Sequence, residues 1–175
     1  IINNGLDIIG FEYEITSDKN KIGNIYAKID CLLRDNKDEM YVILDFKWNS
    51  GRTYERKIEE NKELQLAVYK QLVEAELGKV KFYGYYCLPK RTLYTPHNTL
   101  DGDCICVIDA EDDRDLFKLA CNSYEFRMKQ LKRGILEEAE GLDVATTDYY
   151  KNTDRLNLYP LEEDYEGMGL KGAAY

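Results

Sequence analysis

Hydrophobic and polar positions alternate along three stretches near the start of the chain, and this alternation predicts three strands. The stretches are DIIGFEYEIT (7–16), NIYAKIDCLLRD (24–35) and MYVILDFKWN (40–49). Side chains of a strand point alternately to opposite faces, so a period of two residues is typical of a strand. The polar segments SDKNK and DNKDE between these stretches are turn signals. Together they predict a three-stranded antiparallel meander.

After NSGRT the pattern changes to a helical period. It predicts a helix from about Tyr54 to Leu77, ended by Gly78, because glycine is favoured just past the last helical turn. The predicted buried stripe consists of Leu64, Val68, Leu72 and Ala75. Gln65 and Tyr69 lie one turn apart at the edge of this stripe. An amide and a phenol near a core face require hydrogen-bond partners.

The second half of the chain predicts two more strands and a helix. The strands are the tyrosine-rich KVKFYGYYCLP (79–89), which Pro89 ends, and DCICVIDA (103–110), with the loop TPHNTLDGD between them. Acidic EDDRD then begins a second helix. Its apolar positions recur at helical spacing: Leu116, Ala120, Tyr124, Met128, Leu131 and Ile135. This order of elements predicts an α/β fold with a mixed central sheet flanked by helices.

Composition agrees with a soluble domain that has a core of its own. The chain has 175 residues, of which 44% are hydrophobic and 33% charged. No apolar run reaches the roughly 20 residues of a membrane span. Five cysteines without a CxxC pair argue against a disulfide framework or a zinc knuckle, so we expect a reducing, cytoplasmic location. Because the chain begins with Ile1 and has no signal-peptide pattern, we expect it to be an excised part of a larger protein.

Charge is distributed unevenly along the chain. The formal net charge is -9, and residues 137–175 hold 10 Asp+Glu against 3 Lys+Arg. The remaining body is therefore nearly neutral, so the overall acidity does not exclude a nucleic-acid partner. We predict a core domain over 1–136 and an acidic C-terminal extension over 137–175.

Three charged residues stand out within the predicted meander. Asp45 and Lys47 share one face of the third strand. Asp30 lies on the polar face of the second strand, opposite the face of Ile29 and Cys31. If the two strands pair as a hairpin, Asp30 approaches Asp45, and two close carboxylates require a cation or a shifted pKa. The alternative for residues 41–48 alone is an ordinary solvated Asp-Lys pair.

The ordered set AKID, LDFKW and QLAVY resembles the PD-(D/E)XK nuclease superfamily, in particular its RecB-like branch. That branch has a G-x-I-D strand end, a D-x-K strand and a Q-x-x-x-Y helix in the same order. The likeness extends over residues 7–90, including the tyrosine-rich strand. Ala27 replaces the usual glycine, and the branch's first helix, with its acidic or histidine ligand, has no counterpart before Ile8. We therefore expect a restriction-endonuclease-like fold whose N-terminal helix is missing.

The resemblance implies a metal-dependent DNA nuclease that hydrolyses phosphodiester bonds. Mg2+ or Mn2+ would be held by Asp30, Asp45 and the carbonyl of Phe46, and the cysteine set of an iron-sulfur cluster is missing. Lys47 would orient water or neutralise charge on the phosphate. Gln65 and Tyr69 would border the site, or else form a helix-to-sheet hydrogen bond.

The same resemblance implies a larger RecB-like exonuclease or helicase-nuclease of DNA repair, with further domains or a helicase partner. Two alternatives remain. One is a non-catalytic binding module of the same fold, and the other is an unrelated mixed domain whose pattern is coincidental. Cleavage of labelled DNA in the presence of metal separates the first alternative from the nuclease.

Contacts to substrate are less clearly indicated by the sequence. Basic residues that can contact phosphates, although most are expected to be merely solvated, are Lys79, Lys81, Lys90, Arg91, Lys129, Lys132 and Arg133. Aromatic residues that can stack on bases, although core packing is expected for most, are Trp48, Tyr54, Tyr83, Tyr85 and Tyr86.

Overall fold

The structure is a computed structural model that describes residues 5–20, 22–48, 51–97, 104–110 and 115–132. Contacts divide the chain into two compact units, Ile1–Arg114 and Asp115–Tyr175, and each is described by itself. None of the helices in the described ranges combines the length and apolar character that a membrane span requires. The predicted boundary between residues 136 and 137 lies outside the described residues and stays a prediction.

The described part of the first unit is a six-stranded sheet with two helices. The elements are β1 (Leu6–Ser17), β2 (Ile25–Asp35), β3 (Tyr41–Lys47), α1 (Arg52–Glu59), α2 (Leu64–Glu76), β4 (Val80–Cys87), β5 (Thr92–Thr95) and β6 (Ile105–Val107). The strands lie in the order β1-β2-β3-β4-β5-β6. The pairs β3-β4 and β5-β6 are parallel and the other three are antiparallel. This confirms the predicted meander and the predicted α/β fold with a mixed sheet.

Both faces of the sheet carry buried apolar side chains. On the helix side, Ile43 of β3 packs in one cluster with Leu66 and Leu72 of α2. On the opposite side, Val42 and Leu44 pack in a second cluster. Each fully buried side chain of this size stabilises the fold by about 1.5–3 kcal/mol. Adjacent β3 residues thus anchor opposite faces of the sheet, which fixes the strand that carries Asp45 and Lys47.

The prediction of one helix from Tyr54 to Leu77 is wrong, because the chain breaks it at Asn61. Asn61 has a φ of 48°, a conformation that asparagine tolerates better than most residues. Its N–H bonds the carbonyl of Ile58 at 3.0 Å, and the N–H of Lys62 bonds the carbonyl of Lys57 at 2.7 Å. These two bonds form the Schellman pattern that ends a helix. The chain therefore restarts as α2.

The restart changes which α2 side chains are buried. The predicted stripe was Leu64, Val68, Leu72 and Ala75, whereas the buried residues are Leu66, Tyr69, Leu72 and Val73. The predicted stripe began at Leu64, whereas the buried face of α2 begins at Leu66. Tyr69 consequently belongs to the buried face instead of its edge, while Gln65 is exposed.

A short strand was missed after Pro89. Residues Leu88–Lys90 form a single 3-10 turn, and Arg91 follows with a φ of 55°. The chain thus reverses and β5 pairs antiparallel with β4, Tyr94 opposite Tyr85. Gly84 allows this approach, because a Cβ atom there would collide with the carbonyl oxygen of Tyr94. Four residues are too few for a recognisable alternation.

In the second unit the structure describes one helix, α3 (Leu116–Lys132). The carboxylate of Asp115 accepts a hydrogen bond from the N–H of Lys118 at 2.9 Å, which satisfies an unpaired donor of the first turn. The predicted second helix is confirmed over this range, and its last predicted apolar residue, Ile135, lies outside it. Also outside the described residues are Arg133, the side chain of Lys129 and the extension 137–175.

Candidate active site

The candidate site lies where β2 and β3 separate. Their pairing runs from Arg34 opposite Tyr41 to Cys31 opposite Leu44. Beyond this last pair, β2 continues along β1 and β3 continues along β4. Asp30 and Asp45 are the first residues past the last pair. We call this separation the fork, defined by Asp30 on β2 and Asp45 on β3.

Asp30 lies at an irregular point of β2. Ile29 packs on the helix side of the sheet, whereas Cys31 packs on the opposite side. The prediction that Ile29 and Cys31 share one face is therefore wrong, because the alternation changes phase at Asp30. The Asp30 Oδ2 atom accepts a hydrogen bond from the backbone N–H of Phe46 at 2.8 Å. This bond joins the two strands where their backbone pairing has ended.

Asp45 is buried, with only 1% of its surface exposed. Its Oδ2 atom forms an ion pair with the ammonium of Lys47. Among the described residues, that oxygen nevertheless has no partner in hydrogen-bond geometry, so we treat the contact as electrostatic. Burial raises the pKa of Asp45, and the nearby Lys47 charge only partly offsets this. Asp45 is therefore a carboxylate whose negative charge is incompletely compensated.

Lys47 is held between its carboxylate partner and two tyrosine rings. Its Nζ atom lies 5.4 Å from the ring centroid of Tyr54 and 5.6 Å from that of Tyr85, distances typical of cation-π contacts. The two rings pack on each other with centroids 4.7 Å apart. Burial lowers the pKa of Lys47, but the adjacent Asp45 carboxylate outweighs it, and the net shift is upward. Lys47 is therefore an ammonium with a defined position at neutral pH.

Gln65 and Tyr69 approach the fork from α2. The Gln65 Nε2 atom donates to the Tyr69 hydroxyl at 2.8 Å, and that hydroxyl donates to the carbonyl of Lys28 at 3.0 Å. Burial raises the pKa of Tyr69, and the charges of Asp45 and Asp30 add to the shift. The helix-to-sheet hydrogen bond considered from the sequence is thus present, between Tyr69 and β2. The five predicted side chains meet in one region.

Lys57 was not selected from the sequence. Its Nζ atom lies 5.9 Å from the ring centroid of Tyr54, and its charge lowers the pKa of Asp45. Tyr54 and Lys57 are three residues apart on α1, a spacing that places them on one helix face. That spacing is the signal that could have identified Lys57.

The other predicted substrate contacts have different outcomes. Lys81 is engaged elsewhere, at 2.6 Å from Asp35 and 2.8 Å from Asp38. Tyr85 is buried, as expected for most of the aromatic set, but Trp48 is 83% exposed. Core packing is therefore excluded for Trp48.

The donors at the fork fit a hard divalent cation. Mg2+ prefers oxygen ligands and is commonly bound by one or two carboxylates together with water and substrate phosphates. Asp30 and Asp45 supply two such carboxylates, and the buried Asp45 Oδ2 lacks a hydrogen-bond partner in the described residues. Within the described ranges, no group of three or more His, Cys, Asp or Glu side chains could hold a metal ion. The two carboxylates at the fork are oxygen ligands of the kind that Mg2+ and Mn2+ prefer.

A comparison with family models matches residues 2–152 to the PD-(D/E)XK nuclease superfamily. The chain belongs to this superfamily. Its members generally hydrolyse phosphodiester bonds, and the mixed sheet is consistent with their restriction-endonuclease-like fold. Comparisons with curated proteins and with solved structures gave no match.

Membership of the PD-(D/E)XK superfamily gives the fork a chemical context. The superfamily is named for an acidic residue followed by a D/E-x-K motif. In this chain Asp30 and the DFK segment at Asp45–Lys47 have that order, one on each branch of the fork. The superfamily prediction is confirmed, whereas assignment to the RecB-like branch stays a prediction.

Proposed function

We propose that the chain is a metal-dependent nuclease that hydrolyses phosphodiester bonds of DNA, with Asp30, Asp45 and Lys47 at its centre. The observation that carries this proposal is the buried, incompletely compensated Asp45 next to Asp30 at the fork. A buried carboxylate whose charge is not balanced destabilises the fold. Such a group at a well-ordered site is therefore a candidate for binding a ligand that balances the charge.

Asp30 and Asp45, with the carbonyl of Phe46, are the proposed ligands of Mg2+ or Mn2+. When bound, such a cation lowers the pKa of a water and stabilises charge on the phosphate. The Phe46 N–H orients Asp30 through its 2.8 Å bond. Asp45 is held in its ionised form chiefly by Lys47. The chain thus fixes both carboxylates before substrate arrives.

Lys47 acts as a fixed cation in this proposal. Because its pKa is raised, it does not serve readily as a base at neutral pH. Its ammonium is instead suited to orient the attacking water or to stabilise negative charge as it develops on the phosphate oxygens. The tyrosine rings on either side limit the positions that the ammonium can take.

Gln65 and Tyr69 are proposed as positioning residues. Tyr69 ties α2 to β2 two residues before Asp30, and exposed Gln65 orients the Tyr69 hydroxyl. We expect Gln65→Ala to reduce cleavage with little change in melting temperature. Leu66→Ala serves as the control, because Leu66 is fully buried and its truncation should cost about 2–5 kcal/mol of stability. Losses of activity that follow melting temperature in both variants would instead favour a structural role for Gln65.

We further propose a RecB-like enzyme of DNA repair that works within a larger exonuclease or helicase-nuclease in the cytoplasm. The support is the ordered Asp30, Asp45-Phe46-Lys47 and Gln65-to-Tyr69 set, now seen in one region of the fold. Further domains or a helicase partner belong to the same proposal.

The test is cleavage of end-labelled single-stranded and duplex DNA over a titration of Mg2+ and of Mn2+. We expect metal-dependent cleavage by the unchanged chain and none by Asp45→Asn. Cleavage by Asp45→Asn at the unchanged rate under saturating metal would contradict the proposed mechanism.

One observation favours a second candidate, a non-catalytic binding module of the same fold. The described residues provide two carboxylates at the fork and no third metal-ligating side chain in the same group. The same assay decides between the candidates. DNA binding without cleavage, together with the absence of calorimetric metal binding, would favour the binding module.

A further inference from the structure

Helix α1 is short, but three contacts fix it against the sheet beside the fork. Gly51 precedes it with a φ of 84°, and a Cβ atom there would lie 2.6 Å from the ring of Tyr94. Ile58 is fully buried. Tyr54 packs on Tyr85 of β4. The face of α1 that carries Tyr54 therefore has a defined position relative to Lys47.

Lys57 shares that face and differs from the other bases nearby. Arg56 and Lys62 both pair with Glu60, at 3.9 and 3.3 Å. Lys57 forms no ion pair among the described residues, although it is half-buried and lies against the Tyr54 ring. Its charge still reaches Asp45 and lowers the pKa of that carboxyl. Within the part of the chain that the structure describes, Lys57 is thus a cation at the edge of the fork without an acidic partner of its own.

The ring of Tyr54 lies within cation-π distance of two ammonium groups. Lys47 and Lys57 lie 5.4 and 5.9 Å from the centroid of the same ring. Lys47 already pairs with Asp45. Because Lys47 pairs with Asp45 and Lys57 has no ion pair among the described residues, Lys57 is available to bind an external negative charge. A phosphate group of a polymeric substrate provides that charge.

We propose that Lys57, held against Tyr54, binds a backbone phosphate of the nucleic-acid substrate next to the bond that is cleaved. This inference rests on the proposed function, because it takes the fork as the place of cleavage. A lysine binds phosphate as a point charge, so the contact is independent of base sequence. It also gives this nearly neutral body a local attraction for DNA.

The experiment measures binding of a fluorescent single-stranded oligonucleotide by anisotropy in EDTA over a series of salt concentrations. For the unchanged chain, Lys57→Gln and Arg56→Gln, the slope of log Kd against log salt is compared. Loss of one phosphate contact reduces the slope by about 0.7 for single-stranded DNA. We expect this reduction in Lys57→Gln and none in Arg56→Gln. Lys57→Arg should restore the slope.

Cleavage kinetics add a second measurement. Because the contact is the same in the bound substrate and in the transition state, Lys57→Gln should raise KM and leave kcat nearly unchanged. Thermal melting checks that each variant is folded. An unchanged salt slope in folded Lys57→Gln would overturn the phosphate contact, and so would a loss of slope in Lys57→Arg, which keeps the charge. If the unchanged chain cleaves no DNA in Mg2+ or Mn2+, the proposed function itself fails, whereas cleavage with an unchanged salt slope in Lys57→Gln overturns the phosphate contact alone.

Discussion

In the described part of the sheet, two buried aspartates each lie next to a lysine, and the two pairs differ in their surroundings. Asp35, at the end of β2, accepts a bond from Lys81 at 2.6 Å and another from the N–H of Lys37 at 2.9 Å. Asp45, at the fork, has the ion pair with Lys47, and its Oδ2 atom has no partner in hydrogen-bond geometry among the described residues. Both aspartates are buried, at 5% and 1% exposure.

The two carboxyl groups respond in opposite directions. The Lys81 bond lowers the pKa of Asp35, whereas burial raises the pKa of Asp45 despite Lys47. The residue type is the same, but desolvation dominates at Asp45, whereas hydrogen-bond donors dominate at Asp35. The hydrogen bonds that Asp35 accepts from Lys81 and Lys37 are sufficient for a structural role. In the Asp45 pair, Lys47 balances the carboxylate charge only in part, and a bound cation would balance the remainder.

The largest expected difference between the pairs concerns the two carboxylates. Asp45→Asn should reduce DNA cleavage about a thousandfold or more, because it removes a charged metal ligand. Asp35→Asn should leave the cleavage rate unchanged and lower the melting temperature, because it weakens the bond to Lys81. Cleavage rates at saturating Mg2+ and thermal melts of both variants provide the measurement. A similar loss of cleavage in both variants would remove the functional distinction.

The lysines should differ in the same way but by less. Lys47→Ala should slow cleavage roughly 100- to 1000-fold, the range expected when one stabilising donor of the transition state is lost. Lys81→Ala removes the bonds to Asp35 and Asp38 and should affect only the melting temperature. Single-turnover rates on the same labelled DNA test this. If Lys81→Ala cleaves DNA more slowly than Lys47→Ala does, the proposed functional difference between the two pairs is wrong.

A smaller effect is expected in the pH dependence of cleavage. Asp45 must be ionised to hold a cation, and its pKa lies above the usual carboxyl range near about 4. The acid limb of kcat/KM, measured at subsaturating Mg2+ so that it reports the metal-free protein, should therefore lie above that range. Asp35→Asn is the control and should give the same limb. An acid limb at the ordinary carboxyl value would show that Asp45 is not the group that titrates.

Much of this arrangement could be predicted from sequence, because strand alternation reports which residues share a face. It predicted β1 to β3 and brought Asp30, Asp45 and Lys47 to one region. Alternation does not report where two strands separate, so the change of phase at Asp30 was missed. At the same position Asp30 bonds the backbone N–H of Phe46, a contact across strands that alternation does not report.

The helix break and Lys57 were missed for related reasons. Asn61 ends α1 through backbone bonds in a positive-φ conformation, and the apolar period alone does not show such a conformation. The spacing of Tyr54 and Lys57 indicates a shared helix face, but only the structure shows that this face lies near the charge of Asp45. Both features depend on three-dimensional packing more than on residue type.

The smallest expected effect is the change with pH in the contribution that each aspartate makes to the free energy of unfolding. The two contributions should change in opposite directions. The folded-state pKa of Asp35 is lowered, so its contribution is present above the unfolded pKa and is lost as pH falls through the folded pKa. The folded-state pKa of Asp45 is raised, so its contribution is present below the unfolded pKa and is lost as pH rises through the folded pKa. The two substitutions should therefore change the pH dependence of stability in opposite directions.

Urea unfolding in metal-free buffer between about pH 3 and 7 measures this, since the usual carboxyl pKa lies near about 4 and the pKa of Asp35 is lowered below it. Relative to the unchanged chain, the free energy of unfolding of Asp45→Asn should increase as pH rises, because the substitution removes a buried charge. The free energy of unfolding of Asp35→Asn should instead decrease, relative to the unchanged chain, as pH rises, because the substitution removes a stabilising charge. Asp45→Asn also leaves Lys47 without its partner, but Lys47 stays protonated over this range, so that cost shifts the curve without changing its slope. Slopes of the same sign for both variants would show that the two carboxyl groups are electrostatically alike.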